Sequence, residues 1–401
     1  MGIESECLLE PVNVFDWYKK HEAEFAPPIC NRLMHKNQMT VMFVGGPNKR
    51  RDFHLDRGSE FFYQLKGNMK LPIILPNKQL EIVEINEGQV FLLPSCIPHS
   101  PQRPEEGSLG LVVERERYED EVDGLRYFVG FDFLKHEKNL EALKIDEILW
   151  ERFFNCRSLK EDLAPVVKAF LSSEECAKND PRATDFQNVF SWFSDNTTST
   201  AAPHASATAN TGKKMKEATD SSQEPKFPVN QKIFSVPKPF LLADFLRENR
   251  QRLQAGESLP LFGGIVPRGA TDKDGSTEAN RSAEDDSAAA HDKSDHPDKE
   301  FNIKIGLPAT IDLPKNGVET LVFQIEGETR LTQVGDGGGD GVGGTEVVDA
   351  ITLKAGECVV LPGCSSDGAG SRCFACETDR ETSVALLVQQ YPRKNAEFYG
   401  Y

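Results

Sequence analysis

Positive charge is scarce in this 401-residue chain: 46 Lys and Arg stand against 63 Asp and Glu, for a formal net charge of −17. A surface this acidic repels phosphate, which excludes nucleic acid and anionic membranes as partners unless the few cations gather on one face. Long apolar runs are missing too. No stretch reaches the ~18 residues that a membrane-spanning helix needs. The opening MGIESECLLEPVN lacks a basic segment followed by an apolar one, so no secretory signal is expected, and Glu6 stands where the myristoylation pattern wants Ser or Thr. The nine cysteines, an odd number scattered along a chain with no export signal, are expected as reduced thiols of a cytosolic protein.

Large apolar residues are almost absent from three segments: 194–226, 268–300 and the short GDGGGDGVGGT at 335–345. Rich in Ser, Thr, Ala, Gly and charge, these segments bury too little to offset the entropy of ordering and read as a linker and two loop insertions. The expected layout is a first domain over 1–180, a disordered linker over 181–226, and a second domain over 227–401 carrying the insert 268–300. In the first, the runs TVMFVGGP, RRDFHL, SEFFYQLKGNMKLPIIL, LEIVEINEG, QVFLLPS and GSLGLVVERER follow one another with turn residues between them. Short strands with no helix among them predict an antiparallel, all-β sandwich or barrel. Apolar residues at three- and four-residue spacing predict helices over 136–154, 159–178 and 239–256, the last stopped by Gly256. Strand runs return at 301–313, 320–334, 348–362 and 383–391.

The two domains repeat one another. Glu60-Phe61-Phe62-Tyr63-Gln64-Leu65-Lys66-Gly67 aligns with Thr320-Leu321-Val322-Phe323-Gln324-Ile325-Glu326-Gly327, GQVFLLP at 88–94 with GECVVLP at 356–362, and GLVVE at 110–114 with ALLVQ at 385–389. Two barrels in one chain are expected. Ligand-type residues occur in one copy alone. His54, Glu60 and His99 supply two imidazoles and a carboxylate, the facial set that holds non-haem iron(II) with open positions. Their counterparts Pro314, Thr320 and Asp367 cannot hold it. A lone histidine is more often a packed or surface residue; three ligand types at matching points of a repeated frame, erased in the copy, point to a metal.

Gly46, His54-Leu55-Asp56, Glu60 and Gly67 follow the first signature of the cupins, and Gly88, Pro94, Cys96, His99 and Arg103 the second, with Asp56 where many cupins have another ligand histidine. The fold this implies is a bicupin, all-β dominated, with two jelly-roll barrels, a few flanking helices and a degenerate second barrel. CNRLMH at 30–35, FVGGPNKRRDFH at 43–54, SEFFYQLKGNM, FLLPSCIPHSPQRP and GLVVERER resemble the 3-hydroxyanthranilate 3,4-dioxygenase family, strongly over about 10–180 and weakly beyond.

That resemblance implies Fe(II) on His54, Glu60 and His99. It also implies O2-dependent ring cleavage of 3-hydroxyanthranilate to 2-amino-3-carboxymuconate semialdehyde, which closes to quinolinate, the NAD precursor of the kynurenine pathway. An aromatic acid needs a cationic clamp for its carboxylate, for which Arg50 and Arg103 are the candidates because a planar guanidinium pairs both oxygens. The resemblance also turns Glu114 to the substrate, beside Glu60, to position it or to handle a proton; the alternative is a strand-end carboxylate paired with Arg115 or Arg117. In the copy, Arg103 becomes Ser371 and Glu114 becomes Gln389. A monomer is expected, since the second barrel takes the place of a second subunit.

Cys373 and Cys376 form a single CFAC pair, half of a metal site, and read as ordinary thiols; Cys96 reads as a packed thiol and His35 as structural. His204, His291 and His296 have no partners in sequence. Two rivals stay open: a non-catalytic storage or binding bicupin, and another cupin enzyme such as a different dioxygenase or a zinc-dependent sugar isomerase. The first has no reason to keep His54, Glu60, His99, Arg50, Arg103 and Glu114 together. The second is disfavoured by Asp56, which removes the fourth ligand.

Overall fold

The computed structural model describes residues 10–25, 27, 29–119, 121–181, 235–262, 300–312, 318–334, 350–362 and 373–390. The expected linker 181–226, apart from Pro181, and the expected insert 268–300 lie outside these residues except for Glu300, which is placed and hydrogen-bonded rather than part of a disordered insert; the loop at 335–345 lies outside too, as do Pro314, Asp367, Ser371, His204, His291 and His296.

Two antiparallel six-stranded sheets form the centre. One runs in the order Phe240–Leu241, Gln89–Leu93, Glu60–Lys66, Leu109–Arg115, Met39–Gly45, Asn31–Lys36. The other runs Val12–Asn13, Glu357–Leu361, Thr320–Glu326, Val384–Gln390, Phe301–Ile305, Leu259–Pro260. Each is covered by a second set of strands: the first by Asp52–Leu55, Asp123–Phe128 and Ile148–Phe154 with the hairpin Met69–Ile74 and Leu80–Ile85, the second by a four-stranded sheet.

Alternation explains why the central strands read as unbroken apolar runs. Phe43, Phe61, Leu111 and Val113 face the other barrel and join Leu321, Phe323, Val360, Leu386 and Val388 in one core between the barrels. Their neighbours Met42, Val44, Phe62 and Val112 point the opposite way into the first barrel. Both faces of these sheets are buried, and fully burying each such side chain contributes about 1.5–3 kcal/mol.

The repeat is visible in the backbone. Glu60 pairs with Leu93 and Glu114; Thr320 pairs with Leu361 and Gln389; and both strands break register at the same point, Gln64/Lys66 and Gln324/Glu326. Gly67 and Gly327 turn with φ of 65° and 68°. The barrels also exchange an edge. Val12–Asn13 pairs with the second barrel and Phe240–Leu241 with the first, and the next amides, Val14 N and Leu242 N, each donate at 3.0 Å to the equivalent carbonyls of Gly356 and Gly88. A division of the chain at 180 and 227 follows its course but not these hydrogen bonds.

Local structure departs from expectation in several places; the helix expected over 239–256 begins at Leu242 and breaks at Asn249 into Leu242–Glu248 and Arg250–Gln254, and the strand Asp123–Phe128 was not anticipated. The helix expected over 136–154 is one short turn at Phe133–His136, a 3-10 turn at Leu140–Ala142 and the strand Ile148–Phe154. Pairing of that strand with Asp123–Phe128 overrides the helical spacing, because it buries Ile148, Leu149 and Trp150. The helix over 159–178 is broken into Leu159–Leu163, Ala164–Leu171 and Glu174–Lys178, the last capped by Ser173. The helix Val14–His21 was not anticipated; Asn13 caps it by accepting from the Phe15 and Asp16 amides.

Candidate active site

His54 lies in the strand Asp52–Leu55 and His99 in the loop after Gln89–Leu93. Their backbones bond each other, His54 N to His99 O at 2.7 Å and His99 N to His54 O at 3.1 Å. A turn closed by the Gly58 amide donating to Asp56 Oδ1 (2.7 Å) carries the chain from His54 to Glu60, the first residue of its strand. The ligand-type atoms of His54, Glu60 and His99 come within 4.8 Å of one another, all three side chains buried or nearly so.

The atoms around this trio fit a metal. His99 Nδ1 lies 2.9 Å from the Ile97 carbonyl, which makes Nδ1 the protonated nitrogen and turns the Nε2 lone pair to Glu60. His99 Nε2 and Glu60 Oε1 stand 2.9 Å apart, yet Oε1 has no hydrogen-bond partner. Two acceptors converging at that distance in a buried place call for a cation between them. His54 Nε2 sits 2.8 Å from Asp123 Oδ2, which leaves Nδ1 as the ring nitrogen free to ligate. In the metal-free ring burial opposes the charged form, but the hydrogen bond and charge of Asp123 push it up to about 9, so a metal binding at Nδ1 would displace a proton.

A cleft opens beside the trio, lined by Arg50, Arg103 and Glu114 and walled by Met42, Val44, Phe62, Val112, Leu159 and Leu163. Arg103 is 1% exposed, and none of its three guanidinium nitrogens has a hydrogen-bond partner. Burial, then the neighbouring Arg50, push it down to about 9, so it stays charged at neutral pH. A buried, unpaired cation demands an anion. Gly110 leaves the room: a Cβ there would meet Arg103 Nη2 at 2.8 Å and Gln64 Oε1 at 2.9 Å. Arg50 is held by Asp52, with Nη2 2.5 Å from Oδ2 and Nε 3.2 Å from Oδ1.

Glu114 lines the cleft as the cross-strand partner of Glu60, and it also pairs with Arg117 at 2.7 Å, so both readings of this residue meet in one side chain. Burial, with Glu60 and Asp56 nearby, raises its carboxyl to about 7 against the pull of Arg117. Asp56, its carboxylate within 4.8 Å of those of Glu60 and Glu114, accepts from Arg117 Nη2 at 2.5 Å, which holds it at about 2. Arg117 thus joins Asp56, Glu114 and Asp123, and through Asp123 it reaches His54.

Sequence reasoning missed Asp123 and Asp52 and gave Arg117 no more than an alternative role. Asp123 heads an unanticipated strand in which a lone carboxylate before Gly124 is the one visible signal. Cys96 is packed, its thiol donating to the Arg57 carbonyl at 3.7 Å. Among the described residues, Cys373 and Cys376 join no metal-ligand cluster. His35 has a partner from the other barrel, Glu319, at 2.9 Å.

An all-β double barrel with two histidines and a carboxylate around one point, opening on a cleft with a buried bare arginine, has the build of a metal-dependent enzyme. Comparison with known proteins narrows this. The 3-hydroxyanthranilic acid dioxygenase family matches residues 7–171. Proteins named 3-hydroxyanthranilate 3,4-dioxygenase are 36% identical over 252 residues in Rattus norvegicus (63% of this chain, 70% of the relative) and 37% over 247 in Homo sapiens (62% and 68%). Among solved structures, a cupin 2 conserved barrel domain protein from Leptotrichia buccalis aligns over 96% of this chain and 97% of its own, with 11% identity and a TM-score of 0.38. The chain belongs to the 3-hydroxyanthranilic acid dioxygenase family and is a metal-dependent dioxygenase.

Proposed function

We propose that the chain cleaves the ring of 3-hydroxyanthranilate between carbons 3 and 4, consuming dioxygen and giving 2-amino-3-carboxymuconate semialdehyde, which closes to quinolinate on the way to NAD. One observation carries this beyond family membership: the Arg103 guanidinium is buried and unpartnered beside His54, Glu60 and His99, where an aromatic carboxylate would complete it.

The metal we assign is iron(II), held by His54, Glu60 and His99. When bound it supplies open positions for the substrate's hydroxyl and amine and for dioxygen, and relays charge between them. The remaining work falls to the chain. Arg103 and Arg50 clamp the carboxylate, and Asp52 fixes the Arg50 fork. Met42, Val44, Phe62 and Val112 enclose the ring and exclude water, which strengthens the clamp. Glu114 takes the proton of the substrate hydroxyl, a role suited to a carboxyl near neutrality, and Arg117 holds it in place. Asp123 fixes the His54 tautomer.

The catalytic unit is assigned to 1–180, and the barrel in 227–401 is read as its degenerate copy. A cytosolic monomer without nucleic-acid or membrane partners fits the net charge of −17 and the apolar sheet face that the second barrel already covers. No helix among the described residues is long and apolar enough to cross a membrane. The test is anaerobic reconstitution with Fe(II), then admission of oxygen and 3-hydroxyanthranilate while the conjugated product is followed by its near-ultraviolet absorbance. Failure of the Fe(II) form to give product overturns the assignment.

A further inference from the structure

We propose that Glu300, a residue of the second barrel, is a positioning residue for the metal site of the first. It sits immediately before the strand Phe301–Ile305, whose first residue pairs with Gln390 of the same barrel. Its side chain is 10% exposed and crosses to the first barrel. There Oε2 accepts from the Ser59 amide at 2.5 Å and Oε1 accepts from Arg115 Nε at 2.8 Å.

Ser59 and Arg115 are the covalent neighbours of Glu60 and Glu114, which face each other on adjacent strands. One carboxylate therefore ties down the residue before the metal-ligand glutamate and the residue after the cleft glutamate. Arg115 is fixed on its other side by a two-pronged pair with Glu121, at 2.7 Å for each nitrogen. It also packs beneath the turn that leads into Glu60: a Cβ on Gly58 would meet Arg115 Cγ at 3.2 Å and Nε at 3.4 Å. A buried arginine between two carboxylates, one from each barrel, makes a rigid strut at the place where the strand Glu60–Lys66 begins. Metal ligands tolerate displacement of about 0.5 Å, so a strand start free to shift weakens the site even when every ligand is present. The second barrel has lost its own ligand residues but contributes this one to its neighbour.

This inference rests on the metal site proposed above. It is tested by anaerobic titration of the full chain with Co(II), whose visible bands report coordination geometry, alongside thermal unfolding. Glu300→Ala should weaken Co(II) binding by about 10–100-fold, as loss of an outer-shell partner does, and shift the bands. Glu300→Gln, which keeps an acceptor for the Ser59 amide, should recover part of that loss. The control is Glu319→Gln, which cuts another inter-barrel contact; it should lower Tm while leaving the Co(II) affinity and bands as in the parent. A parent that binds Co(II) and a Glu300→Ala variant that binds it equally well would overturn this inference alone. Equal losses in the Glu319→Gln and Glu300→Ala variants would overturn it too, reducing Glu300 to a fastener between barrels. A parent that binds no Co(II) would sink the metal-site reading and this inference with it.

Discussion

Glu60 and Glu114 in one barrel, Thr320 and Gln389 in the other, occupy the same two facing positions of the same sheet. In the first barrel the two carboxylates line a cleft and look to cations. In the second, Gln389 Nε2 donates to Thr320 Oγ1 at 2.9 Å and Gln389 Oε1 accepts from Asn302 Nδ2 at 3.2 Å, so neutral groups take the place of the carboxylates. The surrounding frame barely differs. Gln64 and Gln324 each turn their amide to the carbonyl two residues on, at Lys66 (2.9 Å) and Glu326 (2.7 Å). Opposite them, Gly110 becomes Ala385, and the methyl group stands where the first barrel leaves space beside Arg103. A frame made of alternation, turn glycines and register persists because each part is stabilised by its neighbours. The chemistry rests on a few polar residues that the frame does not require, so it can vanish from one copy while the fold remains.

The comparison breaks most sharply at the ligands. His54→Ala or Glu60→Ala should abolish metal binding and turnover, whereas Thr320→Ala should leave both as they are; metal analysis of the purified variants decides. Next comes the contact that binds the barrels together. Glu319 accepts from His35 Nε2, Asn37 Nδ2 and the Met39 amide, and leaving such buried donors without their acceptor costs about 1–3 kcal/mol, so Glu319→Ala should show that loss in urea unfolding.

The same residue carries a pH signature. Burial alone would raise its carboxyl, but the hydrogen bond and charge of His35, then Asn37 and Met39, hold it below the ordinary 4.5. A depressed carboxyl contributes stability that is complete above the unfolded value and is lost as pH falls through the folded one. The urea midpoint should therefore drop on acidification below about 4.5, and Glu319→Gln should flatten that slope.

Arg103→Ala should lower kcat/KM by about 100-fold, mainly through KM, while sparing metal content, since charged hydrogen bonds contribute about 1.5–3 kcal/mol each. An unchanged KM would remove Arg103 from the clamp. The smallest effect sharpens the comparison most. Gly110→Ala puts into the first barrel the residue of the second; the nearest atoms are ends of flexible side chains, so the fold should survive and Arg103 should shift, raising KM about tenfold. Ala385→Gly, the reverse change, should cost about 0.5–1 kcal/mol of stability and no activity.

Much of this was legible in the chain. Repeated motifs gave the double barrel and the set His54, Glu60 and His99, and the family resemblance added Arg50, Arg103 and Glu114, which the fold brings to the same cleft. What escaped has physical causes. Ile148–Phe154 has helical spacing but gains more by pairing with Asp123–Phe128 than by coiling. Val12–Asn13 and Phe240–Leu241 are too short to show a period, and their partners lie in the other barrel. Asp123, Arg117 and Asp52 carry no motif; their importance comes from what they touch.

The sequence by itself determined which residues alternate, where the chain turns and which copy kept its ligand set, because these depend on side-chain type and local spacing. Tertiary structure alone decided that Arg103 stays bare while Arg50 is tethered, that Arg117 gathers three carboxylates, and that Glu300 of one barrel steadies the other. Those outcomes depend on which groups meet after distant segments pack, and on how far from water they meet.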